Sequence, residues 1–474
     1  MKAPRISRAR ALELETRLAA MAQAAPPPVR RARAQPRDFD VRAYGAKGDG
    51  KTLDTAAFQA AINAAATAAQ SGANARVLVR GGRSYLLGSL ELKGGIDFHL
   101  ADDAELLIST NRRDYTSAKA FLRAEHADSL RLSGTGRING RAKEFMRRFD
   151  PVDEWWRPKQ FRPRLFEFIA CRGLELADFT FGSAPAWGLH LLGCEHVLVN
   201  GLKIRNDLDV PNCDGIDPDH CRDVEIKNCD IVCGDDGVVI KSTRQPIAFG
   251  PSARIVVKDC VFETQDSAIK IGTETTGEIR GVRVERCVIR SSCRSFNIQL
   301  RDEGSVHDIL VRDLTFASRF HSPPWWGRGE AFSITALPRT PETKLGCIYN
   351  VRLQNFQGRA ENSGRVQGCA QSRPKNISLE NIALTMERWT PYPGGMFDNR
   401  PTTAGIALEP HGTPGFSIRQ ADNVTLDRCR VEWGGLVPDY FTHALEAENV
   451  GQLKIRRFTG DAAHPARDEA VAIH

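Results

Sequence analysis

From about residue 90 onward the chain repeats one short pattern of apolar and polar positions. An apolar residue, any residue and a second apolar residue are followed by two mostly polar ones, a small or apolar residue, any residue and a last apolar one. It reads Leu174-Glu-Leu-Ala-Asp-Phe-Thr-Phe, Val197-Leu-Val-Asn-Gly-Leu-Lys-Ile, Val224-Glu-Ile-Lys-Asn-Cys-Asp-Ile and Ile255-Val-Val-Lys-Asp-Cys-Val-Phe. Val282-Arg-Val-Glu-Arg-Cys-Val-Ile and Ile309-Leu-Val-Arg-Asp-Leu-Thr-Phe continue it, and successive starts are 23, 27, 31, 27 and 27 residues apart. Weaker copies start at Ile96, Leu130, Val351, Ile377, Val424 and Leu453, with inserted loops expected in the larger gaps.

Each copy encodes two short alternating strands, a turn and a third strand, which cannot bury an apolar face alone. Stacked coils can. The chain is therefore predicted to be all-β: a single-stranded parallel β-helix of about twelve coils, with strands about 4.8 Å apart between coils. A β-sandwich would need hairpin turns every 8–12 residues and gives no reason for a period near 27. The Ala-rich segment Thr52 to Ser71 predicts a helix covering the open N-terminal end, with Thr52 or Asp54 as N-cap and Gly72 ending it.

The twelve cysteines fit the same ladder. Cys229, Cys260 and Cys287 each stand five residues after an anchor, as does Cys429 after Val424, while Cys171, Cys194 and Cys221 each stand three before one. Identical columns predict stacked small interior residues rather than disulfides, and free Cys suits that place. The chain has no CxxC pair, so a zinc site is not expected.

Composition narrows the function classes. At 41% hydrophobic and 26% charged, the chain is too apolar for global disorder, and it contains no run of about 20 apolar residues to span a membrane. The formal charge is +7, much of it in the first 42 residues, which suits an acidic partner such as nucleic acid or an acidic polysaccharide. No nucleic-acid-binding signature accompanies the charge, so neither a nucleic-acid nor a membrane partner is expected. Residues 10–24 have helical spacing, and a Pro/Arg linker follows to about Pro36, dividing the chain into a basic segment 1–37 and a solenoid 38–474. Glu13, Glu15 and Arg17 interrupt any secretory core there. A periplasmic or extracellular location is expected without a visible signal, with the cytoplasm left open.

Equal positions in neighbouring coils become spatial neighbours, and three segments share one such place. Matching Asn212-Cys-Asp-Gly-Ile-Asp217, Gly234-Asp-Asp-Gly-Val-Val239 and Gln265-Asp-Ser-Ala-Ile-Lys270 puts Asp214, Asp236 and Ser267 in one column, with Asp235 and Asp266 one step before. Three carboxylates so close cannot all ionise freely. A carboxylic acid with a raised pKa beside ionised carboxylates is what glycosidic hydrolysis uses. On the residues alone, calcium binding stays open, because clustered Asp also suits a hard cation.

These motifs, together with Arg162-Pro-Arg-Leu-Phe-Glu167 and Ser183-Ala-Pro-Ala-Trp-Gly-Leu-His190, resemble glycoside hydrolase family 28, the polygalacturonase family. Val41-Arg-Ala-Tyr-Gly-Ala-Lys-Gly-Asp-Gly50 resembles the opening of the wider pectin-degrading superfamily. The resemblance implies a right-handed β-helix, a carbohydrate substrate, no metal or cofactor, and hydrolysis by single displacement with inversion. Asp235 would be the general acid, and Asp214 and Asp236 would hold and activate water. Neighbouring coils and offset columns would place Asp214 and Asp235 about 6.5–9.5 Å apart.

The departures are specific. The family's Gly-His-Gly stands here as Asp266-Ser267-Ala268, and its Arg-Ile-Lys as Gln299-Leu300-Arg301. The expected substrate is therefore pectic or related and acidic, with plain polygalacturonate poorly cut and exo action favoured by extra loops. Candidate sugar contacts are Arg301, Gln299, Ser267, Lys270, His190, and Trp325 and Trp326 in the Pro- and Gly-flanked loop from His321 to Glu330. A β-helix polysaccharide lyase and a non-catalytic carbohydrate-binding solenoid are the competing readings.

Overall fold

The computed structural model describes residues 35–115, 120–399 and 402–474. The basic segment with its predicted helix lies almost wholly outside them. Two parallel β-sheets run the length of the described chain, one of 23 strands and one of 13. The 13-stranded sheet takes one strand from each coil, from Leu90–Glu91 to Val471–Ile473, which makes thirteen coils among the described residues, in line with the expected dozen or so. The strands Arg37–Asp40 and Ala75–Val79 extend the ladder ahead of Ile96, where the pattern is too short to read as a repeat.

The repeat register is the pairing register. Leu174, Val197, Val224, Ile255, Val282, Ile309, Val351, Ile377, Val424 and Leu453 are partners in turn. Each points into a single apolar core that runs through the solenoid. A one-residue slip would turn the whole apolar row outward, which is why the pattern fixes the register so firmly. Asn228 and Asp259, in tight turns between two strands, and Asp313, Asn355 and Asn381, at the equivalent bend inside longer strands, take the left-handed region, which Asn and Asp tolerate best. There the Asn228 amide donates to Asn200 at 2.8 Å, and the Asn381 amide donates to Asn355 at 2.8 Å.

All twelve cysteines are free, and both columns are buried. The capping helix, α1, spans Thr55–Gln70 and buries Phe58, Ala61, Ile62, Ala65 and Ala66 against the first coils. Asp54, one of the two expected N-caps, stands at the N-cap position, though its side chain does not cap the helix. Thr52 is held by the Asp49 carboxylate, and Asp54 uses its carboxylate on the Lys47 and Gly48 amides at 2.7 and 2.9 Å rather than on its own helix. Gly72 follows the helix with φ of +87°. No helix among the described residues is long and apolar enough to cross a membrane.

Candidate active site

The site lies on the outer face of the 13-stranded sheet. Strand alternation points Leu189, Ile216, Val238, Ile269 and Phe296 into the core and leaves the residues between them on the other side. His190 pairs with Asp217 in one such outward row; further along it Lys270, Asn297, Ser333 and Arg365 are successive partners. The turn just ahead of the strand Ile216–Asp219 brings up Asp214, and the turn ahead of Val238–Ser242 brings up Asp235 and Asp236. One carboxylate oxygen from each of the three lies within 4.8 Å of the others.

A local hydrogen bond holds Asp235 close to the turn that carries Asp214. Asn212 sits in the left-handed region at φ 59°, and its N–H donates to Asp235 Oδ2 at 3.0 Å, drawing Asp235 back onto the coil that carries Asp214. Arg162 fastens that turn, donating to the carbonyls of Pro185 and Pro211 at 3.2 and 2.9 Å and to Asn212 Oδ1 at 3.0 Å.

The three carboxylates have different partners. Asp235 Oδ1 accepts from the Asp236 amide at 2.9 Å, yet burial, then Asp214 and Asp236, push its pKa up to about 8. Asp236 accepts from the Lys270 ammonium at 2.8 Å and the Ser267 amide at 3.2 Å. Asp214 is buried and lies 3.7 Å from the Lys241 ammonium, while its Oδ1 has no hydrogen-bond partner among the described residues. Burial, then Asp217, hold Asp214 well above the usual carboxylate range. Two ammoniums thus supply the neutralisation a divalent cation would give, and the donor set suits acid–base work better than calcium.

Four further residues complete the cluster. Asp217 is fully buried, 3.4 Å from Lys241, and burial pushes it up to about 7. Lys241 also reaches Glu274 at 3.6 Å and lies 4.0 Å from the centre of the Trp187 ring. Burial alone would depress its ammonium, but Asp217, Asp214 and Glu274 hold it above its ordinary value. The signal for Asp217 and Lys241 was in the quoted motifs, Asp-Gly-Ile-Asp217 and Val-Val-Ile-Lys241, as polar residues recurring on a strand's outward side.

Among the expected sugar contacts, Trp326 and Lys270 stand beside the aspartates. Trp326 is half-buried, with its ring centre 5.0 Å from the Lys270 ammonium. The others are placed differently. Trp325 is buried rather than a platform, because the inserted loop packs it edge-on against Trp155 at 5.4 Å. Ser267 and Arg301 have no exposed surface, and burial with the neighbouring Arg339 lowers Arg301 to about 10. Gln299 is buried one strand beyond Gly272. His190 is buried between Arg164 at 2.9 Å and Asp219 at 3.3 Å, which occupy both ring nitrogens. In this conformation these four groups offer a sugar almost no surface.

Three insertions interlock into a roof beside Lys270, against which one of them lays Trp326. Tyr392 donates to Glu154 at 2.7 Å, Ser322 donates to the Asp153 carbonyl at 2.7 Å, and the Gly327 amide donates to Asp398 at 2.7 Å. The last insertion is pinned to the first residues of the sheet's strands, where Arg294 donates to the Asp398 carbonyl at 3.3 Å and Asn362 to the Met396 carbonyl at 3.0 Å.

A solenoid of this build with paired aspartate turns on one face defines a class, and comparison with known proteins bears it out. The family model for glycosyl hydrolases family 28 matches residues 70–311, just over half of the chain, and the chain belongs to that family. A "Probable polygalacturonase" from Vitis vinifera is 30% identical over 296 residues, covering 57% of this chain and 59% of that relative. The chain thus spans about three fifths of that relative's length. A "Polygalacturonase" from Chamaecyparis obtusa is 26% identical over 417 residues, covering 82% of this chain and 76% of the relative. Among solved structures, the exopolygalacturonase of Thermotoga maritima superposes with a TM-score of 0.61 at 21% identity, over 79% of this chain and 91% of that one. The polygalacturonase of Erwinia carotovora gives 0.52 at 15% identity, over 86% and 98%. The fold is the right-handed parallel β-helix of these neighbours.

Proposed function

We propose that the chain hydrolyses glycosidic bonds of a pectic or related acidic glycan, acting from a chain end by single displacement. The observation that carries this reading is the convergence of Asp214, Asp235 and Asp236 with Asp235 pushed up to about 8. At neutral pH, Asp235 is then a carboxylic acid able to give its proton to the glycosidic oxygen as the bond to the anomeric carbon breaks. Water attacking that carbon loses its proton to Asp214 or Asp236, and the Lys270 ammonium at 2.8 Å holds Asp236 in place for it. Grape and cypress relatives described as polygalacturonases support a pectic substrate class. The interlocked roof supports exo action, because insertions that crowd the sheet beside the aspartates leave less room for a chain to run through. With Gln299 in place of an arginine, plain polygalacturonate is expected to be cut weakly.

The test is digestion of a panel of pectic polysaccharides and oligosaccharides, followed by NMR from the first minutes of reaction. Short saccharides released from one end, with the anomeric configuration inverted, support the reading. Retention would replace it with a covalent intermediate. An unsaturated, ultraviolet-absorbing product would show a lyase, and no cleavage of any glycan a binding solenoid.

A further inference from the structure

Two departures from the family pattern meet at one place. Asp266 stands where the family has glycine, and Ser267 where it has histidine; Ser267 is fully buried and cannot reach a substrate. Its hydroxyl donates to Asp266 Oδ1 at 3.1 Å and accepts from the Asn297 amide at 3.3 Å. The same strand answers with a cation: Lys270, three residues on, reaches back to Asp236 Oδ2 at 2.8 Å. Both partners are 96% buried or more, so the pair is shielded from solvent and salt. The inserted loop lays Trp326 beside the ammonium at 5.0 Å.

Resting on the hydrolase reading, we propose that Lys270 is a positioning residue of the reaction. Its ammonium pins Asp236 as an oriented carboxylate, offsets the extra carboxylate of Asp266, and takes over the place left by the family's histidine. The charges agree. Asp236, Asp266 and Asp235, in that order, oppose the burial that would discharge Lys270. Lys270 in turn draws down Asp235 and Asp266, which burial and neighbouring carboxylates otherwise raise. Without it, four carboxylates would face one another with Lys241 set against Asp214, Arg294 against Asp266, and Arg162 near Asp214 and Asp235.

The experiment measures kcat, KM and the pH profile of wild type, Lys270→Met and Lys270→Arg on the best substrate of the panel. Lys270→Met is expected to lose about 100-fold in kcat with KM changed less than threefold. Both limbs of its bell should move to higher pH by about one unit or more, because removing a cation raises every neighbouring carboxylate. Lys270→Arg should restore the limbs and most of kcat. A Lys270→Met enzyme with unmoved limbs, or with kcat within threefold of wild type, overturns the proposal. If Lys270→Met does not fold, Asp266→Asn decides: removing the opposing carboxylate should move both limbs to lower pH, and an unmoved profile overturns it. Wild type inactive on every glycan, or Asp235→Asn fully active, would instead defeat the hydrolase reading itself.

Discussion

At the scale of single residues, the site trades stability for chemistry. Asp235 has a folded pKa of about 8 against about 3.9 for an unfolded aspartate, so the folded chain binds its proton more tightly. The native state therefore loses stability from this group as pH rises from about 4 to about 8. Asp235→Asn removes that burden while keeping the shape, and its melting temperature is expected to exceed that of wild type at pH 9 and to converge with it near pH 4. Calorimetry at the two pH values checks this; a variant less stable than wild type at pH 9 contradicts it. The same pKa sets the alkaline limb of activity, which should fall as pH passes about 8. Arg301 is the opposite case. Fully buried beneath Arg339 and near Asp302, it is expected to cost about 2–4 kcal/mol of stability when changed to Ala. Denaturant titration measures this, and a selective rise in KM on uronate substrates without loss of stability would show a sugar contact instead.

At the scale of elements, the coil and its insertions obey different rules. Stacked strands repeat one chemical environment, so the anchors and cysteine columns were legible as identical positions at a common spacing. The insertions carry no such period. Trp325 and Trp326 are adjacent in a loop that reads as exposed, yet the loop turns one into Trp155 and leaves the other beside Lys270. Which of the two would be buried depended on the hairpin Met146–Asp150 and Trp155–Pro158, distant in sequence. Trp326→Ala is expected to raise KM about tenfold or more with little change in stability, as loss of a sugar-stacking wall would. Unchanged kinetics would remove Trp326 from the site. The cysteine ladder has its own check: a thiol reagent applied to the native chain should reach at most Cys347 and Cys369, the two that are not buried, and all twelve after unfolding. Fast labelling of Cys229, Cys260 or Cys287 in the native state would contradict the stacked interior.

At the scale of the whole molecule, a one-dimensional stack makes a catalytic site from residues roughly one coil apart in sequence. This is why Asp214, Asp235 and Asp236 could be grouped from register alone, and why Asp217 and Lys241 were missed: they lie on different outward rows, and only the folded chain sets Lys241 against Asp214, Asp217 and Glu274. The roof was legible as three long gaps but not as one interlocked body, since its contacts join residues up to 238 positions apart. A site crowded in this way should release short products from the start of digestion, with polymer length falling slowly. The central claim is that Asp235 donates the proton to the leaving oxygen, and it is tested most directly by kcat of Asp235→Asn on two substrates. An unactivated glycan needs the proton, and an aryl glycoside with an acidic leaving group hardly does. If Asp235 is the acid, kcat on the glycan falls by about 10²–10⁴-fold while the aryl glycoside loses far less; near-wild-type turnover of the glycan, or equal losses on both, would contradict it.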